Sequence, residues 1–326
     1  MKILKNTLGT ILMATLILTS CNKNENDDIF IETPPTAQEF QNLKEAALEN
    51  LTQEFQFNAE DGSTTFTSVK GVQLTINGTC LSNNGSAVAG SVVLEFVELF
   101  EKGNMLITNK PTMGLLPNGD KAMLISGGEF FINATQNGED LDINCSIQLI
   151  VPSALSGGTD PAMSLWNGII DEDDNLEWGE VNADPAGNQG GVFAEGGQYY
   201  AFLDQFGWSN VDRFYNDPRP KTTLQIAVPE GYDNENSSVY LSYDGEETGL
   251  ANMDTYDPGT KLFSEHYGQI PIGLECHVIF VSEDNGLWKY AIKAVTIVNN
   301  GIITFTDGET SSDIEAVLVA SINGLP

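Results

Sequence analysis

The segment from Tyr199 to Tyr215 gathers Tyr199, Tyr200, Phe202, Phe206, Trp208, Phe214 and Tyr215 around Asp204, Asp212 and Arg213. The chain has two arginines, Arg213 and Arg219, and both fall here. A guanidinium among aromatic faces suits sugar stacking or a protein hot spot, with Trp208, Asp212, Arg213 and Tyr215 as the contact residues. The alternative is a structural core in which a carboxylate such as Asp212 fixes Arg213, and aromatic clusters in β-proteins are usually core.

A second candidate is Asp171-Glu172-Asp173-Asp174-Asn175. Asp171, Asp173 and Asn175 alternate like the start of a calcium loop, and calcium prefers such oxygen ligands. Leu176 stands where an EF-hand needs glycine and Asn182 where it needs glutamate, so the EF-hand reading fails. A looser calcium site and a solvated hairpin tip are what remain, and no other cofactor is expected.

Enzymatic chemistry has little to stand on. The histidines are His266 and His277, and His277 shares the polar parity of its strand with Glu275. Ser264-Glu265-His266 is no triad, because triad partners meet through the fold rather than along the chain. Gly207-Trp208-Ser209-Asn210-Val211 lacks the second glycine of a nucleophile elbow and has no α/β pattern around it. There is no His-Glu-x-x-His, no Walker loop and no dinucleotide fingerprint. The 46 acids do offer many carboxylate pairs, so a glycosidase stays as an alternative whose geometry only a fold can supply. No catalytic residue is assigned.

The most specific short motif is Leu18-Thr19-Ser20-Cys21, which matches the bacterial lipobox. Lys2 and Lys5 precede an apolar run from Leu8 to Leu18 that is too short to span a bilayer and right for a signal-peptide core. The motif predicts cleavage before Cys21 and acylation of that cysteine. Several acyl chains hold a soluble domain on a bilayer durably. Asn22-Lys23-Asn24-Glu25-Asn26-Asp27-Asp28 follows, and such an acidic run resembles the surface-export signal of Bacteroidetes lipoproteins. The expected location is the outer membrane, lipid-anchored, on the cell surface; a periplasm-facing tether is the alternative.

Composition narrows the partners. With 46 acidic and 14 basic residues the formal net charge is -32, which repels phosphate backbones and anionic headgroups alike. Nucleic acid is therefore excluded as a partner, and any membrane attachment falls to the anchor. A hydrophobic fraction of 41% rules out wholesale disorder. Beyond Cys21 the cysteines are Cys80, Cys145 and Cys276, without metal-ligand spacing. Cys80 and Cys145 share inward parity on their strands and form a disulfide candidate; two core thiols are the alternative.

These residues must be held by elements whose periods are legible. Thr36 and Glu39 form a capping-box pair, and Phe40, Leu43, Ala47, Leu51 and Phe55 recur at helical spacing, predicting an amphipathic helix over 36–57 that packs on the first domain, with a second protein as the alternative partner. From Thr64 the period becomes two. Val72, Leu74 and Ile76 face one way, as do Leu141, Ile143, Cys145, Ile147, Leu149 and Val151. Gln136-Asn137-Gly138-Glu139 reads as a hairpin turn. Pro152 to Pro161, rich in Gly, Ser and Pro, is the best domain boundary. The organisation expected is a signal peptide over 1–20, a tether over 21–35, the helix, a β-sandwich domain over 62–152 and a second β-rich domain over 162–326.

Several strings resemble a known group. The Gly90-to-Glu98 strand, Lys110-Pro111-Thr112 and Ser126-Gly127-Gly128-Glu129-Phe130 resemble a β-sandwich module of secreted Bacteroidetes lipoproteins, distantly like the sandwich of zona-occludens and netrin-receptor proteins. Phe206 to Phe214 and Ile270-Pro271-Ile272-Gly273 look like the same surface-lipoprotein group. The resemblance implies a mainly β chain of two antiparallel sandwich-like domains at the cell envelope, and implies no catalytic residue. The expected function is that of a non-enzymatic binding or accessory subunit of an envelope assembly, with a protein partner there. A glycan-binding module is the alternative, and a carboxylate-pair glycosidase a more distant one.

Overall fold

A computed structural model describes residues 33–170, 176–181 and 191–326. The expected signal peptide, Cys21 and the loop carrying Asp171, Asp173 and Asn175 lie outside the described residues, as does most of the tether.

The helix begins where the capping box places it. The Glu39 amide donates to the Thr36 hydroxyl at 3.2 Å, and Glu39 Oε2 accepts from the Thr36 amide at 2.8 Å. Helix α1 runs Ala37–Leu51, not to residue 57, because Thr52 turns the chain extended and Phe55 joins a strand. Its stripe packs beyond the first domain. Phe40 meets Trp288 edge-on at 6.3 Å, and the cluster around it takes Val97 and Leu99 from one part of the chain and Ile279, Val281 and Leu318 from another. Two further helices, α2 (Lys102–Ile107) and α3 (Glu315–Asn323), complete this layer. The helices cover the face of Glu275–Asp284 that carries Ile279 and Val281, the same parity that Glu275 and His277 mark as polar at its start.

The chain is otherwise β, in stacked sheets of sandwich type. The largest sheet contains β1 (Gln53–Asn58), β2 (Ser91–Leu99), β3 (Met113–Leu115), β4 (Lys121–Gln136), β5 (Ser164–Ile170), β6 (Leu176–Glu180) and β7 (Gly207–Phe214). Its order is β1-β2-β4-β7-β5-β6-β3, and β3 pairs back onto β4, so five of these strands close a ring. A second sheet places Ile147–Pro152 between Gln198–Leu203 and Gln73–Asn77. Two more sheets, built on Lys221–Ala227 with Leu262–Pro271 and on Ser237–Tyr243 with Glu275–Asp284, fill the later part of the chain.

The expected boundary at Pro152–Pro161 does not divide these sheets. β4 pairs with β7 and Ile147–Pro152 pairs with Gln198–Leu203, so strands from both sides of the boundary share two sheets. Residues 34–326 make one compact unit, with a continuous core running from Phe57 and Leu74 through Phe130 and Tyr199 to Phe280 and Phe305. The Gly- and Ser-rich stretch is instead pinned down. The Ser153 hydroxyl donates to the Gly197 carbonyl at 2.8 Å, and the Tyr199 hydroxyl accepts from the Asp160 amide at 2.7 Å.

The regular strand expected over 141–151 is interrupted. Asp142–Ile143 and Ile147–Pro152 flank a segment in which Cys145 is bonded to Cys80, with Cα atoms 5.8 Å apart. At the Asn137-Gly138 turn both residues have positive φ, 54° and 80°, the geometry for which that pair is suited. Cys276 is a buried free thiol, and burial first, with Asp244 second, pushes its pKa up to about 12.

Candidate ligand cavity and the buried carboxyl pair

Tyr199 to Tyr215 spans Gln198–Leu203, a turn and β7. Along β7, Val211 faces the sandwich core while Trp208, Asn210, Asp212 and Phe214 face the ring. The ring is filled by Leu124, Trp166, Leu176 and Trp178, all buried. Both indoles are hydrogen-bonded: Trp166 Nε1 donates to the Asp212 carbonyl and Trp178 Nε1 to the Pro111 carbonyl, each at 2.9 Å.

Ser126-Gly127-Gly128-Glu129 now has a physical reading. The β4–β7 register shifts between Asn210 and Asp212, and the two glycines lie at that bulge. A Cβ on Gly127 would sit 2.7 Å from the Val211 carbonyl, and one on Gly128, whose φ is +133°, would sit 2.6 Å from Phe100. The bulge aligns Ser126, Glu129, Asn210 and Asp212. The Ser126 hydroxyl donates to Asn210 Oδ1 at 3.0 Å, and Asn210 Nδ2 donates to Asp212 Oδ2 at 2.5 Å. Asp212 and Glu129 are both 0% exposed. Among the described residues, neither Glu129 oxygen, nor Asp212 Oδ1, has a hydrogen-bond partner. Burial pushes both carboxyls well above the ordinary range, and for Glu129 the Asp212 charge adds to the effect while Lys110 opposes it. This is a closed site that favours protons over charge. It is not a cleft.

The other sequence candidates take separate places. Arg213 does not pair with Asp212, whose side chain points into the ring. Its Nε donates to Asp160 Oδ2 at 2.6 Å, and both side chains are 33% exposed. Trp208 is half-buried, packed on Phe131 at 5.4 Å and Trp178 at 6.5 Å, with the Lys110 ammonium 5.5 Å from its ring centre. His277 is held by Asp244 at 2.8 Å. The four contact candidates therefore do not converge on one surface.

Of these four, Tyr215 lines a cavity. It lies where β7 ends, against the sheets of the later chain, and has a volume of about 320 Å3. Its seam is stitched by backbone bonds: the Tyr215 amide to the Met123 carbonyl and the Thr112 amide to the Leu250 carbonyl, both at 2.9 Å. Met113, Met123, Met253, Phe214 and Leu241 supply apolar walls. Methionine is unbranched and polarizable, so such walls adapt to an occupant. Tyr215 stacks edge-on against Tyr243 at 5.3 Å.

Most of the charge around this cavity is committed. Lys121 Nζ lies 2.6 Å from Asp254 and 3.3 Å from Glu177. Arg219 Nε donates to Asp217 at 2.9 Å, the Tyr215 hydroxyl donates to it at 3.2 Å, and the Arg219 hydrogen bonds hold that carboxyl well below its usual range. Glu265 accepts from the Gly268 amide at 3.1 Å. Lys221 is half-buried on the lining, and burial lowers its pKa.

Sequence reasoning missed this cavity because its lining comes from six separate stretches with no motif among them. A weak signal existed: Met113, Met123 and Met253 are three of seven methionines, in a chain whose strands otherwise favour Val, Ile and Leu. Glu129 lies in Ser126-Gly127-Gly128-Glu129-Phe130, but nothing in one dimension distinguishes a buried acid from the other 45.

No protein-family model matches the chain, and a search of curated proteins finds no relative.

Proposed function

We propose that the chain is a lipid-anchored protein of the outer membrane, facing the cell surface, that binds a compact, partly apolar ligand in the seam cavity. It does so as a non-enzymatic binding or accessory subunit of an envelope assembly. The observation that carries the binding part is the cavity itself: a preformed concavity of about 320 Å3 with apolar walls and a few polar groups, which is how small-ligand sites are built. The anchor rests on Leu18-Thr19-Ser20-Cys21 and the acidic run behind it, and the weak resemblance to Bacteroidetes surface lipoproteins agrees with it.

The alternatives have less support. Glycan binding would favour an exposed row of aromatics, whereas Trp208 is wedged between Phe131 and Trp178. A glycosidase would need two carboxylates on an open cleft, whereas Glu129 and Asp212 are shut inside the ring. Two measurements test the proposal. Native mass spectrometry of the full chain, extracted from its own membrane, should find a small molecule that Met253→Trp, which fills the cavity, no longer carries. Cys21→Ala should move the protein to the soluble fraction. A ligand retained by Met253→Trp would contradict the cavity, and a membrane-bound Cys21→Ala protein with its signal removed would contradict the anchor.

A further inference from the structure

The cavity's chemistry narrows the class of ligand, an inference that rests on the binding reading above. Its volume of about 320 Å3 is that of roughly ten waters, at about 30 Å3 each, so its occupant has on the order of ten heavy atoms. Of the charged groups on the lining, Lys121, Asp217 and Glu265 already hold protein partners. Lys221 differs. Among the described residues no ion pair or side-chain hydrogen bond reaches its ammonium; the residue is half-buried at the start of Lys221–Ala227, and its nitrogen is not one of the fully buried unpartnered atoms. An ammonium has three donors and no acceptor, and here those donors stay open to an acceptor that a ligand brings.

We infer that the cavity takes a medium-chain amphiphile with an anionic head, its carboxylate on the Lys221 ammonium and its chain among Met113, Met123 and Met253. Asp217 does not repel such a head strongly, because Arg219 and Tyr215 already engage its oxygens. Charge complementarity at Lys221 sets the orientation, and the methionine walls supply an apolar contact that tolerates differences in chain shape.

The test measures equilibrium binding of octanoate, 1-octanol and octylammonium to the full chain, to Lys221→Met and to Met253→Trp, with Ala122→Phe as a second cavity-filling variant. Lys221→Met keeps the length of the apolar stem and removes the charge. Octanoate should bind tightest and octylammonium weakest. Lys221→Met should weaken octanoate at least tenfold and change octanol less than twofold, and the filled variants should bind neither. Equal octanoate and octanol affinities, unchanged in Lys221→Met, would overturn the anionic anchor while leaving the cavity as a binding site. Binding that survives in folded Met253→Trp and Ala122→Phe would overturn both.

Discussion

The ring interior and the neighbouring cavity share one strand and treat charge in opposite ways. At Asp212 the side chain turns inward beside Glu129, and the two carboxyls are sealed among tryptophans with three oxygens unpartnered among the described residues. Three residues on, at Tyr215, the chain opens onto a space whose acids are bonded and whose lining includes the half-buried residue Lys221. A sealed carboxyl can lower its cost only by keeping its proton. An amine that solvent still reaches can also meet a counterion from outside. The first arrangement serves the fold; the second has the form of a binding site.

The largest expected effect lies in the ring. Trp178→Ala removes a fully buried indole and its hydrogen bond to the Pro111 carbonyl, which keeps only the Met113 amide. It should cost about 3–5 kcal/mol in denaturant unfolding. A cost near zero would mean that the ring is not a packed core.

Glu129→Gln probes the sealed carboxyls through pH. Both folded pKa values are raised, so the folded chain keeps protons that the unfolded chain has released. Stability then falls as pH rises from about 4 toward the raised values and is flat beyond them. Within that window each carboxyl contributes a slope of about 1.4 kcal/mol per pH unit. Glu129→Gln should flatten the slope by one carboxyl's share and be more stable than the parent at pH 8. An unchanged pH profile would show that Glu129 releases its proton as readily folded as unfolded. Asp217, whose pKa is lowered, acts with the opposite sign: its contribution is present above about pH 4 and is lost as pH falls below that.

Arg213→Ala should have the smallest effect. Its pairing with Asp160 is one-third exposed on both sides, and such pairs contribute about 1 kcal/mol or less. A loss of several kcal/mol would place Arg213 with the sealed groups rather than the open ones.

The contrast also explains what the sequence could convey. Local signals survived folding: the Thr36–Glu39 capping box, the Asn137-Gly138 turn and the alternation of Leu74 and Ile76 each depend on neighbours within a few residues. Non-local facts did not. The pairing of β4 with β7 joins residues about eighty positions apart, so Pro152–Pro161 reads as a linker although it is bonded to Gly197 and Tyr199. Arg213 shows the same limit. Asp212 was its nearest acid in sequence, but strand alternation turns Asp212 into the ring, and Asp160 arrives from across the fold. The cavity was the least legible feature, since a space has no residues of its own.

The most direct test of the cavity uses the methyl groups of methionine as reporters. Met113, Met123 and Met253 line the cavity, whereas Met105 and Met163 are buried elsewhere. With the full chain labelled at methionine methyls, titration with octanoate should shift the nuclear magnetic resonance signals of Met113, Met123 and Met253 and leave those of Met105 and Met163 in place. Saturating octanoate that moves none of the three, or that moves Met105 and Met163 instead, would contradict the assignment of this cavity as the binding site.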